Sequence, residues 1–359
     1  MPPAAIVSVA TKFRNGLERA HRAGAPPFQL VLERALGIID TKALACAVEL
    51  RIPEHLVAGA QPVVDLAAAC GADPDALRRL LRYLASRGIF RHESGDRFAN
   101  NRASDTLREA DPWSWRAWAE LAGADWHGQI WDHLTDRVRH GIPATQAAFG
   151  VPFFDYVNRV NETAGTMFNA AMACGSRVQA VLFGEHVPLD RFRQLCDVGG
   201  GTGSVVAHLV RKYPHLRGLV FDLPELAAEA RAVLDAAGVA DRASFSGGDF
   251  FDSVPAGCDL YTMFAVVHDW SDERGGQILA NVRAAMAPSG AVMVIEKPLP
   301  ADGRPDFAKV SDLVMLVLGD GGRERTEPEY RRLFVDAGFS VRRRTVLPSL
   351  FVVFELAPR

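Results

Sequence analysis

The sequence predicts a doubly wound α/β domain in the second half of the chain, preceded by an all-α winged-helix region. Residues 195–203 read LCDVGGGTG, an apolar strand that ends in an acid and a run of glycines, and a helical pattern follows. About twenty residues further on, LVFD at 219–222 is typical of a second buried strand tipped by an acid. Strand, glycine-rich turn, helix and strand in this order indicate the first crossover of a parallel sheet.

The glycine spacing of this turn indicates which ligand it binds. Gly199, Gly201 and Gly203 alternate, and Ser204 stands where a dinucleotide-binding G-x-G-x-x-G motif has its third glycine. Asp222 is placed to accept both hydroxyls of a ribose. An adenosine cofactor without a pyrophosphate, S-adenosylmethionine, fits better than NAD. A tight strand-to-helix turn that binds no ligand is the alternative that these residues leave open.

Length, charge and cysteine usage limit the class of protein. The chain has 359 residues, a net charge of −3 and 48% hydrophobic residues, which suits two domains or one domain with an added module. This charge gives no electrostatic reason to expect nucleic acid. The five cysteines form no C-x-x-C pair, which disfavours disulfide frameworks and common zinc sites. With no signal-peptide pattern and no long apolar run, we expect a soluble cytoplasmic protein without membrane contact.

The N-terminal region has the element order of a winged helix. An apolar helical pattern runs from Phe28 to about Leu50, and a shorter one breaks at Gly71. The next helix has a cap at Asp73, and a hairpin follows within residues 89–98. The arginines of that helix could face DNA phosphates, or they could form a solvated polar face; they are Arg78, Arg79, Arg82 and Arg87.

A helical and aromatic segment follows, from Leu107 to about Phe183. It holds five of the six tryptophans: Trp113, Trp115, Trp118, Trp126 and Trp131. Most of these rings should pack between helices. Some should line a pocket for a flat aromatic substrate, because rings supply a large contact area at little cost in entropy.

Polar side chains end the predicted strands of the second half. A fourth apolar strand is predicted from Leu260 to Val267, and a fifth over 291–295. Ligands of such sheets bind beyond the carboxyl ends of the strands. Each polar residue taken alone has a packing explanation, but together they indicate a binding and catalytic site: Asp197, Asp222, Asp249, His268 and Glu296.

These stretches are similar to the S-adenosylmethionine-dependent O-methyltransferases of the plant caffeate and flavonoid type and their bacterial polyketide-tailoring relatives. The matching motifs are DVGGGTG at 197–203, FDLP at 221–224, GGDFF at 247–251, HDWSDE at 268–273 and GGRERT at 321–326. The resemblance implies a winged-helix dimerisation domain over residues 1–105 and a helical linker at the substrate pocket over 106–185. It also implies a Rossmann-like class I methyltransferase domain over 186–359, and a homodimer.

The resemblance also implies roles for individual residues. His268 would be the general base, flanked by Glu296 and Glu324, without a metal. The implied contacts to S-adenosylmethionine are Asp197, Gly199, Gly201, Gly203, Asp222, Leu223, Asp249, Phe250, Phe264 and Ser176. The implied contacts to a small aromatic acceptor are Phe168, Met172, Asp269, Met315 and Trp118. One departure from the family pattern is Phe264, where plant members carry a lysine near the cofactor.

The predicted chemistry needs little beyond alignment and a place for one proton. A histidine suits a phenol, because the pKa of imidazole lies near working pH. Two alternatives stay open. The fold could carry a different reaction, such as C- or N-methylation or a cofactor-dependent hydroxylation. The chain could instead be a winged-helix regulator that senses a small molecule.

Overall fold

The computed structural model describes residues 4–319 and 321–359, with the side chains of residues 4–12 and 15 left out. The chain folds as two compact units. The first comprises residues 1–19, 133–162 and 175–359, and the second comprises 20–132 and 163–174. The predicted linker, 106–185, is therefore divided between the two units. The division into domains at 105 and 185 stays a prediction.

Eighteen α-helices and ten strands occur in the described part of the chain. The helices are α1 (Ala4–Gly24), α2 (Pro27–Ala35), α3 (Ile38–Glu49), α4 (Ile52–His55), α5 (Val63–Cys70), α6 (Pro74–Ser86), α7 (Arg102–Asp105), α8 (Arg116–Gly123), α9 (Asp125–Asp132), α10 (Leu134–His140), α11 (Ala144–Phe149), α12 (Phe153–Asp155), α13 (Glu162–His186), α14 (Ser204–Lys212), α15 (Ala227–Ala236), α16 (Asp272–Ala285), α17 (Phe307–Leu318) and α18 (Glu327–Asp336). The strands are β1 (Gln61–Pro62), β2 (Phe90–Glu93), β3 (Arg97–Asn100), β4 (Gln194–Val198), β5 (Arg217–Asp222), β6 (Ala243–Gly247), β7 (Leu260–Phe264), β8 (Ala291–Glu296), β9 (Phe339–Val346) and β10 (Val352–Pro358).

The first unit is built on a seven-stranded sheet in the order β6-β5-β4-β7-β8-β10-β9. The strands from β6 to β8 run parallel, and β10 is antiparallel to both of its neighbours. The order reverses between β4 and β7, so a crevice opens beyond their carboxyl ends, where such sheets bind ligands. This confirms the predicted doubly wound domain.

Close packing of helix against sheet supports this crevice. The buried face of α14 is the predicted one, with Val205, Val206, Leu209 and Val210 in the core. Gly218 on β5 lets that helix approach, because a Cβ there would lie 2.4 Å from Cγ1 of Val206. The strand and helix that frame the glycine-rich turn are therefore held rigidly.

The fourth predicted strand is shorter than expected. β7 ends at Phe264, and Ala265 takes a left-handed conformation with φ of 52°. A short 3-10 helix over Val267–Asp269 follows and carries His268. The prediction to Val267 was wrong because Val266 and Val267 are buried in the core like strand residues, so the apolar run gives no sign of the turn.

The second unit contains the predicted winged helix. β1, β3 and β2 form a small sheet, and Asp73 caps α6 by accepting from the amide of Ala76 at 2.8 Å. The pattern predicted as one helix from Phe28 to Leu50 is two helices, α2 and α3, which are interrupted near Gly37. None of the helices in the described part of the chain has the length and apolar character needed to cross a membrane.

The arginines of α6 form ion pairs within their own unit. Arg78 and Arg82 contact Asp96 in the hairpin, and Arg79 contacts Asp75. Arg87, just after the helix, binds Asp40 through two nitrogens at 2.9 Å. Pairing with acids favours the polar-face interpretation of these arginines over phosphate contact.

Candidate active site

The glycine-rich turn forms a half-buried cradle of backbone between β4 and α14. Gly199, Gly201 and Gly203 have φ of 70°, 55° and 81°, a region that side chains disfavour. Asp222, at the end of β5, accepts from the amides of Gly201 and Leu223, both at 2.7 Å. Each of its oxygens keeps a lone pair for a further donor. Burial raises the pKa of Asp222, and the two amides oppose that shift.

Asp197 lies beneath this cradle. It is buried, and Oγ1 of Thr262 on the neighbouring strand donates to it at 2.5 Å. Burial raises the pKa of Asp197 to about 7, against the effect of the Thr262 hydroxyl. Its carboxylate packs against the turn, since a Cβ on Gly200 would lie 3.0 Å from its Oδ2. Its direct contact with a ligand stays a prediction.

An aromatic cluster stands beside the end of β6. Phe250 and Phe251 pack edge to face at 4.9 Å, and Trp270 contacts both rings, at 5.8 and 4.7 Å. Asp249 accepts from the amide of Phe251 at 2.8 Å, which fixes the turn that presents Phe250. A half-buried ring next to an exposed carboxylate suits an adenine, which needs a stacking face and an acceptor for its amino group.

His268 has an acid partner at each ring nitrogen. Its Nδ1 lies 2.8 Å from Oε1 of Glu324, and its Nε2 lies 3.5 Å from Oδ1 of Asp269. Glu296, at the end of β8, instead accepts from the backbone amides of Val267 and His268, at 2.9 and 3.3 Å. The three predicted catalytic residues thus meet at one point of the crevice.

The charges around His268 favour its protonated form. Burial alone would lower the pKa of His268, but the carboxylates of Asp269, Glu296 and Glu324 raise it to about 10. Burial raises the pKa of Asp269 to about 6 and that of Glu296 to about 7, although the imidazole opposes both shifts. These carboxylates therefore favour the imidazolium form of His268 over the neutral form that a general base needs.

The same residues have a spacing that could hold a metal ion. Ligand atoms of His268, Glu296 and Glu324 lie within 4.8 Å of one another. The Nδ1 of His268 is hydrogen-bonded to Glu324, which leaves Nε2 as its other ring nitrogen. The predicted absence of a metal stays a prediction.

The remaining predicted site residues lie in both units. Ser176 on α13 and Met315 on α17 are half-buried in the first unit, and Phe264 packs edge to face on Phe183 at 5.1 Å. The other three predicted contacts belong to the second unit: Trp118, Phe168 and Met172. Their contacts with an acceptor stay predictions.

Several residues that support the site were missed at the sequence level. Ser311 on α17 donates to the Glu324 carboxylate at 2.6 Å, and Asp312 accepts from the Glu324 amide at 3.0 Å. Arg325 is fully buried and binds the His268 turn. The GGRERT motif points to the segment, but nothing in it shows that the second arginine is buried.

Sequence profiles place this geometry in a known family. An O-methyltransferase domain matches residues 131–340, and an O-methyltransferase dimerisation domain matches residues 32–109. The chain belongs to the O-methyltransferase family. It is an S-adenosylmethionine-dependent O-methyltransferase, with a helical dimerisation domain before a Rossmann-like class I domain.

Individual relatives resemble this O-methyltransferase over most of its length. It is 36% identical to the O-demethylpuromycin-O-methyltransferase of Streptomyces alboniger, over 97% of this chain and 93% of that protein. The solved structure of the mitomycin 7-O-methyltransferase superposes with a TM-score of 0.82 at 34% identity, over 95% of this chain and 100% of that one. The crystal structure of human N-acetylserotonin methyltransferase in complex with S-adenosylmethionine superposes with a TM-score of 0.83 at 28% identity. The match covers 94% of this chain and 99% of that one.

Proposed function

We propose that this enzyme methylates a hydroxyl group on an aromatic secondary metabolite, and that His268 takes the proton of that hydroxyl. The observation that carries the proposal is the bond from Nδ1 of His268 to the buried carboxylate of Glu324. This bond keeps a proton on Nδ1, so Nε2 is the nitrogen that can accept one. Such an acid–base residue is typically worth about 10²–10⁴-fold in rate.

The residues of the crevice fit S-adenosylmethionine. The cofactor supplies an activated methyl group when it is bound. Asp222 would accept the ribose hydroxyls with the lone pairs that Gly201 and Leu223 leave free. Phe250 would stack on the adenine, and the turn from Gly199 to Gly201 would present backbone to the methionine part, most openly at Gly201, where a Cβ would meet no heavy atom within 4 Å. Asp197, Gly203, Asp249, Phe264 and Ser176 complete the proposed set.

The protonation state of His268 must change before it acts as a base. Burial lowers the pKa of His268, but the three carboxylates around the ring raise it and so favour the protonated form. A positive ligand charge near these carboxylates would lower the pKa of His268, because like charges disfavour protonation. The acid cluster thus stabilises the imidazolium that forms when the acceptor loses its proton, while Glu324 keeps the ring oriented. Asp269, Met315, Phe168, Met172 and Trp118 are the proposed contacts to the acceptor.

Two further reactions and one further class of function compete with this proposal. Relatives at 33% and 32% identity are an 8-amino-8-demethylriboflavin N,N-dimethyltransferase and an aclacinomycin 10-hydroxylase. The simultaneous presence of His268, Glu296 and Glu324 favours oxygen as the nucleophile, because a neutral amine needs no base before it attacks. A DNA-binding regulator is disfavoured by the ion pairs of the α6 arginines.

The enzyme is further proposed to work as a cytoplasmic homodimer. Within α2 no residue is buried, and the helix exposes 74% of Phe28 and 70% of Val31. A helix this apolar needs a partner surface, and the matched dimerisation domain supports a second copy of the chain. None of the five cysteines, all of which lie in the described part of the chain, forms a disulfide, which suits a reducing compartment.

Methyl transfer from labelled cofactor to a small panel of acceptors tests the proposed function. The panel follows the names of relatives: O-demethylpuromycin, 3-amino-4-hydroxybenzoate and N-acetylserotonin. The second compound carries both a phenol and an amine, so the position of its new methyl group separates O- from N-methylation. We expect methylation of oxygen, unaffected by EDTA. A methylated amine, or a product that gains an oxygen atom, would contradict the proposal.

A further inference from the structure

The turn that carries His268 is held by three consecutive residues of the GGRERT loop. The amide of Arg323 donates to the carbonyl of His268 at 2.8 Å. The carboxylate of Glu324 accepts from the imidazole. The guanidinium of Arg325 donates to the carbonyl of Val267 at 2.9 Å and to that of Trp270 at 2.7 Å. Backbone and ring of His268 are thus fixed by one segment.

This contact requires that the two backbones approach very closely. Gly322 precedes the three residues, and a Cβ there would lie 2.8 Å from the carbonyl oxygen of Asp269 and 3.0 Å from that of His268. Any side chain at position 322 would therefore push the loop away from the turn. The loop and the turn behave as one piece of structure.

Arg325 is the unusual member of this segment, because it is a fully buried cation. Its Nε binds Oδ1 of Asp272 at 2.7 Å, and its terminal nitrogens bind the two carbonyls that flank His268 and Asp269. The planar guanidinium of an arginine has five N–H donors and can bridge separate acceptors, whereas the ammonium of a lysine is a compact point charge. A buried charge is costly unless its hydrogen bonds are satisfied, and here each nitrogen has an acceptor.

We propose that Arg325 is a positioning residue, which acts on catalysis by fixing the turn that aims His268 at the acceptor hydroxyl. The inference rests on the proposed role of His268 as the base. Arg325 itself touches neither of the imidazole nitrogens and takes no proton. Its effect on the rate should therefore pass entirely through His268.

The test is a double-mutant cycle between Arg325→Lys and His268→Ala. The lysine keeps the buried charge but cannot bridge both carbonyls. We expect the rate constant for single-turnover methylation of the panel acceptor that reacts fastest to fall by about tenfold to hundredfold. A small misplacement of a reacting group has an effect of this size. The affinity for S-adenosylmethionine should stay unchanged. In the His268→Ala background, Arg325→Lys should have no further effect.

The imidazole itself gives a second readout that needs no acceptor. The charged groups facing it are Asp269 on its own turn, Glu296 on β8 and Glu324 on the loop. Because Arg325→Lys changes no charge, any change in the pKa of His268 in a nitrogen-15 titration reports a change of geometry. A looser contact with Glu324 should lower that pKa, since this carboxylate raises it.

Arg331→Lys is the matched control, because Arg331 binds Glu327 through two nitrogens but lies exposed on α18. Arg331→Lys should change neither the rate of methylation nor the pKa of His268. An equal loss of kcat from Arg325→Lys in both backgrounds, or no loss in either, would overturn the positioning role. If Arg325→Lys does not fold, Asp272→Asn replaces it in the same cycle with the same criteria, because it frees the guanidinium from its acid without creating a cavity. Wild-type transfer by His268→Ala alone would instead refute the proposed base.

Discussion

Nδ1 of His268 lies 2.8 Å from Oε1 of Glu324, whose side chain is only 2% exposed. The same oxygen accepts from the hydroxyl of Ser311 at 2.6 Å. Two donors on one oxygen hold the carboxylate in a single orientation, and the carboxylate in turn fixes the tautomer of the imidazole. Ser311 lies on α17 and Glu324 in the GGRERT loop, so two separate elements support the geometry of the proposed base.

Removing the imidazole should separate catalysis from cofactor binding. We expect His268→Ala to lower kcat by about 10²–10⁴-fold and to leave the affinity for S-adenosylmethionine nearly unchanged. Single-turnover assays and calorimetry measure the two effects. His215→Ala is a control, because His215 contacts the Leu189 carbonyl and the Tyr213 ring, away from the crevice. Wild-type transfer by His268→Ala at neutral pH would contradict the general-base role.

The raised pKa of His268 predicts that the pH profile of the rate has a limb that rises with pH into the alkaline range. A base must be unprotonated, so kcat/KM for S-adenosylmethionine, which reports on the enzyme before the cofactor binds, should rise with pH towards about 10. Glu324 is one of the carboxylates that raise this pKa. Glu324→Gln should therefore move the limb to lower pH, and His268→Ala should abolish it.

The acceptor for this profile should keep its hydroxyl protonated over the whole pH range, so that its own ionisation does not produce the limb and a base is needed at every pH. Asp75→Asn, an exposed change on α6, serves as the control and should leave the limb where it is. A limb that stays in place when Glu324 is neutralised would show that some other group carries the proton.

The raised pKa also predicts how stability depends on pH. Because the pKa of His268 is higher in the folded protein than the ordinary value of 6.5, its charge stabilises the fold fully below pH 6.5. That contribution is lost as pH rises through about 10. The difference in Tm between wild type and His268→Ala should therefore shrink from pH 6 to pH 10 in thermal unfolding. A difference that grows with pH would contradict the predicted protonation.

The local features of the site could be predicted from the sequence, and the long-range ones could not. The alternating glycines and Asp222 are linked by one turn and one neighbouring strand, so spacing alone places them together. The burial of Arg325 depends on a loop packing against a turn more than fifty residues away, a contact that composition does not encode. The early end of β7 was hidden because Val266 and Val267 are buried in either conformation.

Asp222 should be the main anchor for the ribose. Asp222→Ala should weaken the binding of S-adenosylmethionine by about 1.5–3 kcal/mol, the range for a hydrogen bond to a charged group. Calorimetry on the cofactor and its demethylated product measures the loss. Asp235→Ala on α15 is the control, since no charged or ligand contact is proposed for it. Unchanged affinity in Asp222→Ala would exclude the ribose role.

The exposed face of α2 should hold the dimer together. Val31 is 70% exposed on a helix without buried residues, so a charge at its centre should block an apolar interface but leave the fold of the chain intact. We expect Val31→Asp to give a mass near 39.0 kDa in light scattering, where the wild type gives twice that value. Val138→Asp is the matched control, because Val138 is 68% exposed on α10, outside both α2 and the matched dimerisation domain, and should leave the dimer unchanged. A wild-type mass for Val31→Asp, or a monomeric wild type, would show that this apolar face has another use.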